Sequence, residues 1–533
     1  MLSKVLLNIA FKVLLTTAKR AVDPDDDDEL LPSPDLPGSD DPIAGDPDVD
    51  LNPVTEEMFS SWTVVLGLAT LFVAYYIHWI NKWRDSKFNG VLPPGTMGLP
   101  LIGETIQLSR PSDSLDVHPF IQKKVERYGP IFKTCLAGRP VVVSADAEFN
   151  NYIMLQEGRA VEMWYLDTLS KFFGLDTEWL KALGLIHKYI RSITLNHFGA
   201  EALRERFLPF IEASSMEALH SWSTQPSVEV KNASALMVFR TSVNKMFGED
   251  AKKLSGNIPG KFTKLLGGFL SLPLNFPGTT YHKCLKDMKE IQKKLREVVD
   301  DRLANVGPDV EDFLGQALKD KESEKFISEE FIIQLLFSIS FASFESISTT
   351  LTLILKLLDE HPEVVKELEA EHEAIRKARA DPDGPITWEE YKSMTFTLQV
   401  INETLRLGSV TPALLRKTVK DLQVKGYIIP EGWTIMLVTA SRHRDPKVYK
   451  DPHIFNPWRW KDLDSITIQK NFMPFGGGLR HCAGAEYSKV YLCTFLHILC
   501  TKYRWTKLGG GRIARAHILS FEDGLHVKFT PKE

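Results

Sequence analysis

Phe475-Gly-Gly-Gly-Leu-Arg-His-Cys-Ala-Gly484 carries one cysteine, Cys482, at the end of a glycine-rich loop. Apolar residues then recur at helical spacing from Ala485 onward, so the cysteine falls where a tight loop meets a helix N-terminus. Backbone N–H groups and the positive dipole end at such a junction favour a thiolate over a thiol. The three glycines, 476 to 478, permit positive φ and close approach of the backbone to a flat ligand. Arg480, two residues before the sulfur, can reach an anionic edge of that ligand. A glycine-rich loop beside a structural cysteine would not require Phe475, Gly478, Arg480, Cys482 and Gly484 at this fixed spacing.

A lone thiolate beside an arginine, with room for a planar group, suits heme iron. The loop resembles the heme-binding signature of the cytochrome P-450 family of heme-thiolate monooxygenases. The resemblance covers residues 93 to 533, with the family's motifs in order. The wording LPPGTMGLPLIGET, FNPWRW and FGGGLRHCAGAE is most similar to plant members of the sterol, triterpenoid and brassinosteroid-oxidising group. It implies a mainly α (α+β) fold, a helical prism with small β-sheets, and heme b ligated by Cys482. A thiolate opposite dioxygen pushes electron density onto iron and favours O–O cleavage.

Composition agrees with a large folded unit. Of 533 residues 25% are charged and 44% hydrophobic, and the formal charge of −5 gives no reason to propose a nucleic acid partner. The five cysteines include no C-x-x-C pair, which argues against a zinc site or a disulfide framework and suits a cytosol-facing compartment.

The N-terminal hundred residues read as three pieces. Residues 1–61 combine a basic, apolar, targeting-like start with an Asp- and Pro-rich tract expected to be disordered. Residues 62–80, WTVVLGLATLFVAYYIHWI, are long and apolar enough to span a bilayer. Lys82, Arg84 and Lys87 follow them, while the preceding flank is acidic, so the positive-inside rule puts the remainder in the cytosol. Residues 81–100 contain Pro93-Pro94 and read as a stiff hinge to a catalytic domain over 101–533. The expected location is the endoplasmic reticulum membrane, with a single pass.

Within the catalytic domain, 128–144 reads as a β-hairpin and Ser328 to Glu360 as the longest helix, with Ser328 as N-cap and His361-Pro362 as its stop. Ala342-Ser-Phe-Glu-Ser346 interrupts that apolar helix with a carboxylate and a hydroxyl, a costly insertion unless paired or hydrated. The family resemblance makes Ala342, Glu345 and Ser346 the oxygen-side, proton-delivering segment, with Ser343 and Ser346 standing where the family has Gly and Thr. His187 and Arg191 lie at i and i+4 on one helix face. By the same resemblance these two and Arg416 face the heme propionates, and His443 is either a further propionate neighbour or a surface residue. Glu403 and Arg406 form an E-x-x-R pair that the family ties to Arg459 as a structural triad. Trp164, Tyr165 and Phe172 are either substrate contacts or core, and the break at 272–278 belongs to a lid.

No dinucleotide motif or flavin domain is visible, so the resemblance implies electrons from an NADPH-cytochrome P-450 reductase, a hydrophobic small-molecule substrate and a monomer in the bilayer. A reductase-independent heme-thiolate isomerase or dehydratase, and a catalytically silent heme-binding scaffold, are the other readings.

Overall fold

The structure, a computed structural model, describes residues 53–83, 88, 90–165, 167–172, 183–269, 271, 273–305, 310–379, 381, 384–516 and 518–532. Of the targeting-like and acidic extension expected over 1–61, residues 1–52 lie outside them. The chain parts into two units between Leu71 and Phe72. Helix α1, Pro53–Lys82, starts nine residues before the expected anchor, so 53–61 is helix rather than disordered extension. A proline with φ already preset suits the first helical position. From Trp62 to Lys82 the helix is long and apolar enough to cross a membrane, and most of its side chains are exposed. It is a candidate membrane anchor.

The helices that position the site are α2 (Leu183–Phe198), α3 (Val230–Phe247), α4 (Glu329–Glu360), α5 (Thr395–Gly408) and α6 (Ala485–Lys502). Helix α4 has the expected bounds: the Ser328 hydroxyl caps the Phe331 N–H, and His361 closes the last turn. At 1.5 Å per residue its 32 residues run about 48 Å. It is not buried on every face. Phe344, Ile347 and Ser348 are buried, whereas Ala342 and Ser346, one turn apart, are exposed. Phe344 packs edge-on against Phe239 of α3 and Phe341 of its own helix. Helix α3 reaches α6 through hydroxyls: Thr241 to Tyr491 at 3.0 Å and Ser242 to Tyr487 at 2.8 Å, so these polar groups are buried in hydrogen-bonded pairs.

The main sheet has the order β1 (Ile131–Leu136), β2 (Arg139–Ser144), β5 (Thr434–Leu437), β4 (Leu414–Thr418), β3 (Val161–Met163). The expected hairpin is β1–β2, and only β2–β5 is parallel. The proline-rich stretch is pinned to this sheet. Pro94 accepts a hydrogen bond from Lys133 N–H, and a Cβ on Gly95, at φ +143°, would meet the Lys133 carbonyl oxygen at 2.1 Å. Leu92 and Met97 are buried with Trp79, Trp83 and Trp433 in one apolar cluster, where Trp83 meets Trp433 edge-on at 5.7 Å.

Three helices are stitched by a run of hydrogen bonds through two buried imidazoles. The Thr397 hydroxyl must donate to the Glu371 carboxylate (2.5 Å), so it accepts from His372 Nε2 (3.0 Å). His372 Nδ1 then accepts from His497 Nδ1 (3.1 Å), and His497 Nε2 accepts from Arg379 (3.4 Å). Every ring nitrogen is used with both rings neutral. Burial, then neighbouring positive groups, pushes His372 down to about 3 and His497 to about 4. Unfolded, both bind a proton near pH 6.5. The unfolded chain therefore holds more protons below that pH, and stability falls as pH is lowered. Thermal denaturation from pH 7 to 5, above most carboxylate titration, should show a falling midpoint; a flat one would contradict this pairing.

Candidate active site

The loop leading to Cys482 makes its turn at Gly476 (φ +70°) and Gly478 (φ +63°), whereas Gly477 is extended at −159°. Cys482 N–H donates back to the Phe475 carbonyl (3.0 Å), closing the loop, and α6 begins three residues later at Ala485. Gly484 lies beside the sulfur: a Cβ there would be in ordinary contact with Sγ at 3.9 Å. The Phe475 ring lies under the Lys489 ammonium at 5.7 Å. In the protein alone burial pushes the Cys482 thiol up, opposed by the Gly484 N–H and by Arg191.

Three other elements converge on this loop. Arg191 of α2 donates from Nη1 to the His481 carbonyl (2.7 Å). Arg480 donates from Nε to Glu157 Oε1 (3.2 Å), and Arg416 of β4 brings its Nε to 2.6 Å from Glu157 Oε2. The second contact lacks hydrogen-bond alignment, so Arg416 Nε and Glu157 Oε2 are buried without a hydrogen bond. His187, one turn before Arg191, is held below its ordinary value by burial and then by Arg480 and Arg191. Arg416 and Arg480 share the Glu157 carboxylate, and Arg191 adds a third guanidinium at the same loop, so three cations stand beside one carboxylate, a surplus of two positive charges.

On α4, Glu345 is paired: Lys231 of α3 lies 2.9 Å from its Oε1 and donates to Ser348 Oγ (3.0 Å). Ser346 and Ala342 share the accessible face. Below the loop, Glu403 is fully buried. It accepts two bonds from Arg406 (2.9 and 2.8 Å), one from Arg459 (2.9 Å), one from the Trp460 indole (3.1 Å) and one from Asn456 N–H (3.0 Å). His443 is neither a surface residue nor free to reach a ligand. It is buried, accepts Met473 N–H at Nε2 (3.1 Å) and donates from Nδ1 to Ser409 (3.0 Å). Burial and the surrounding arginines push it down to about 3.

Comparison with known proteins decides the family. The family model for cytochrome P-450 matches residues 93–518. The chain belongs to the cytochrome P-450 family. It is 47% identical over 475 residues to beta-amyrin 16-alpha-hydroxylase CYP87D16 of Maesa lanceolata, covering 88% of this chain and 99% of that one. To a cholesterol 22-monohydroxylase of Paris polyphylla, CYP90B52, it is 35% identical, covering 87% and 98%. The solved structure of retinoic acid bound cyanobacterial CYP120A1 superposes with a TM-score of 0.74 at 26% identity, covering 84% of this chain and all of that one. This P-450 is therefore a heme-thiolate monooxygenase with the family's mainly helical fold and small sheets.

The residues present fit a heme. A surplus of two positive charges, one of them on a buried guanidinium whose Nε has no hydrogen bond, matches a ligand edge bearing two carboxylates. Sequence reasoning missed Glu157 and Lys231 in this P-450. Each belongs to no motif, and their partners lie 323 and 114 positions away, at Arg480 and Glu345. Of the aromatic candidates, Phe172 is core, edge-on to Tyr281 at 5.7 Å, and Trp164 lies under Arg139 at 5.5 Å; residues 173–182 lie outside the described set.

Glu403→Gln removes the charge that two buried guanidiniums share. Breaking a buried pair this way costs about 3–5 kcal/mol. Urea denaturation should show that loss at unchanged m-value; a loss below about 1 kcal/mol would contradict the hub role.

Proposed function

We propose that this monooxygenase hydroxylates a sterol- or triterpenoid-sized apolar substrate, at one carbon or successively. Electrons come from an NADPH-cytochrome P-450 reductase, and the enzyme is held as a single-pass monomer in the endoplasmic reticulum membrane with 101–533 in the cytosol. The observation that carries the site assignment is the gathering of Arg191, Arg416 and Arg480 around the Cys482 loop. The hydroxylase names of the plant relatives support the substrate class, and the exposed apolar helix 62–82 supports the membrane.

In this reading Cys482 Sγ ligates the iron, and Phe475, Gly478 and Gly484 shape the loop around it. Arg191, Arg416, Arg480 and His187 hold the propionates. Bound there, heme supplies dioxygen activation. Glu345 and Ser346 supply protons from the solvent side: Lys231 fixes the Glu345 carboxylate on α4, and Ser346 Oγ, one residue on, holds the next proton in the relay. Ala342, one turn earlier on the same face, keeps the approach to Ser346 open. Glu403, Arg406 and Arg459 brace the loop from below.

The test is a carbon monoxide difference spectrum of the membrane-bound protein, reduced by NADPH plus reductase. The wild type should give a thiolate-type Soret band that Cys482→Ser abolishes; a band that survives the substitution refutes the ligand assignment. Ser346→Ala should keep the band while the rate of product formation falls by about 10²-fold and hydrogen peroxide per NADPH rises. Sterols or triterpenoids should shift the ferric Soret band, and a panel of both with no shift would overturn the substrate class.

A further inference from the structure

We propose that Glu157 is a positioning residue for the carboxylate edge of the heme, spanning Arg416 and Arg480 and setting both their separation and the surplus charge that the propionates meet. The inference rests on the assignment of the Cys482 loop as the heme site. Glu157 lies two residues past a short helix, Ala147–Leu155, where Gly158 N–H donates to the Val161 carbonyl (2.9 Å) and the chain turns into β3. Its backbone bridges to Val161, and β3 pairs with β4 so that Met163 sits opposite Arg416. The turn is thus fixed to the strand that carries one arginine, while the other arrives on the Cys482 loop. The carboxylate side chain is only 4% exposed.

Nothing else nearby serves as counter-charge. Among the described residues Glu157 is the one carboxylate paired with either arginine. Tyr165, within electrostatic reach of both, donates its hydroxyl to the Met163 sulfur and stays neutral, burial holding its pKa up. The two grips differ. Arg480 is hydrogen-bonded to Oε1, whereas Arg416 is held at 2.6 Å from Oε2 by charge without alignment. The ion pair therefore fixes where the Arg416 charge sits; Nη1 donates to the Leu415 carbonyl (2.8 Å), and the buried Nε–H is left without a hydrogen bond. Without Glu157 the surplus would be three positive charges, mutually repelling and free to spread.

A counter-charge needed only for folding would not hold the two arginines on a loaded heme, so the test reads both the potential and the retention of the heme itself. Full-length holoenzyme would be compared as wild type, Glu157→Gln and Glu157→Asp. The readouts are the midpoint potential by spectroelectrochemistry and the rate of heme transfer to apomyoglobin. Glu157→Gln keeps the shape and loses the charge; it should raise the midpoint potential, because a negative charge near the porphyrin favours the ferric state. Glu157→Asp keeps the charge on an arm one methylene shorter; it should hold the wild-type potential and release heme severalfold faster. Wild-type potential and wild-type release in Glu157→Gln would overturn the proposal. Should that variant fold without loading heme, the Glu157→Asp release rate decides: faster supports the spanning role and unchanged refutes it. Absence of the thiolate band in the wild type would instead fail the site assignment, and would be seen before any Glu157 variant is compared.

Discussion

Glu403 carries one negative charge with no solvent to share it, and two guanidiniums, an indole and a backbone N–H divide its two oxygens. Such a carboxylate adds little net stability over an apolar substitute, since desolvation offsets most of the attraction. What it imposes is geometry, because every partner must arrive at its own angle. Arg406 reaches on from Glu403 to the carbonyls of His443 and Pro452, and His443 in turn holds Met473 N–H, two residues before Phe475. The Cys482 loop is thereby tied through consecutive hydrogen bonds to the middle of α5. The loop's own glycines could not hold one conformation unaided, since they are the residues with most backbone freedom to lose.

The molecule handles buried charge in two ways around the same loop. Below it, the Glu403 cluster has its donors and acceptors matched in strong, aligned bonds. Beside it, Arg416 and Glu157 meet closely yet without alignment, and the surrounding guanidiniums outnumber the carboxylate. The first pattern suits a part that must not change, and the second suits a part that receives an anionic partner. Glu345, half-buried next to the exposed Ser346, is held by the charge of Lys231 at 2.9 Å, while the Lys231 ammonium donates its hydrogen bond to Ser348.

Local pattern carried much of this into the sequence. The Cys482 loop, the capped ends of α4, the β1–β2 hairpin and the E-x-x-R spacing all depend on residues a few positions apart, where period and turn chemistry speak directly. The legible part stops where remote elements meet. Nothing near Glu157 announces Arg416 or Arg480, and nothing near Lys231 announces Glu345. In sequence His443 reads as a propionate neighbour or a surface residue because its burial comes from packing of distant segments rather than from its neighbours. The start of α1 at Pro53 was missed for another reason: the anchor was delimited by hydropathy, whereas the helix continues upstream through polar residues.

Trp79 and Trp83 sit at the C-terminal end of α1, yet both are buried, and their cluster includes Trp433 and the proline-rich stretch. Anyone shortening this protein to obtain a water-soluble form would be drawn to begin just after Lys82, where the apolar helix stops. That boundary discards Trp79 and leaves Trp83 at a frayed terminus, so the indole of Trp433 and the side chain of Leu92 lose their cover and become a sticky patch. Beginning near Phe72 instead keeps both tryptophans and removes the exposed apolar turns from Trp62 to Leu71. A cut inside the helix keeps that flank intact, with Phe72, Val73, Ile77 and Ile80 among the exposed apolar residues it leaves attached.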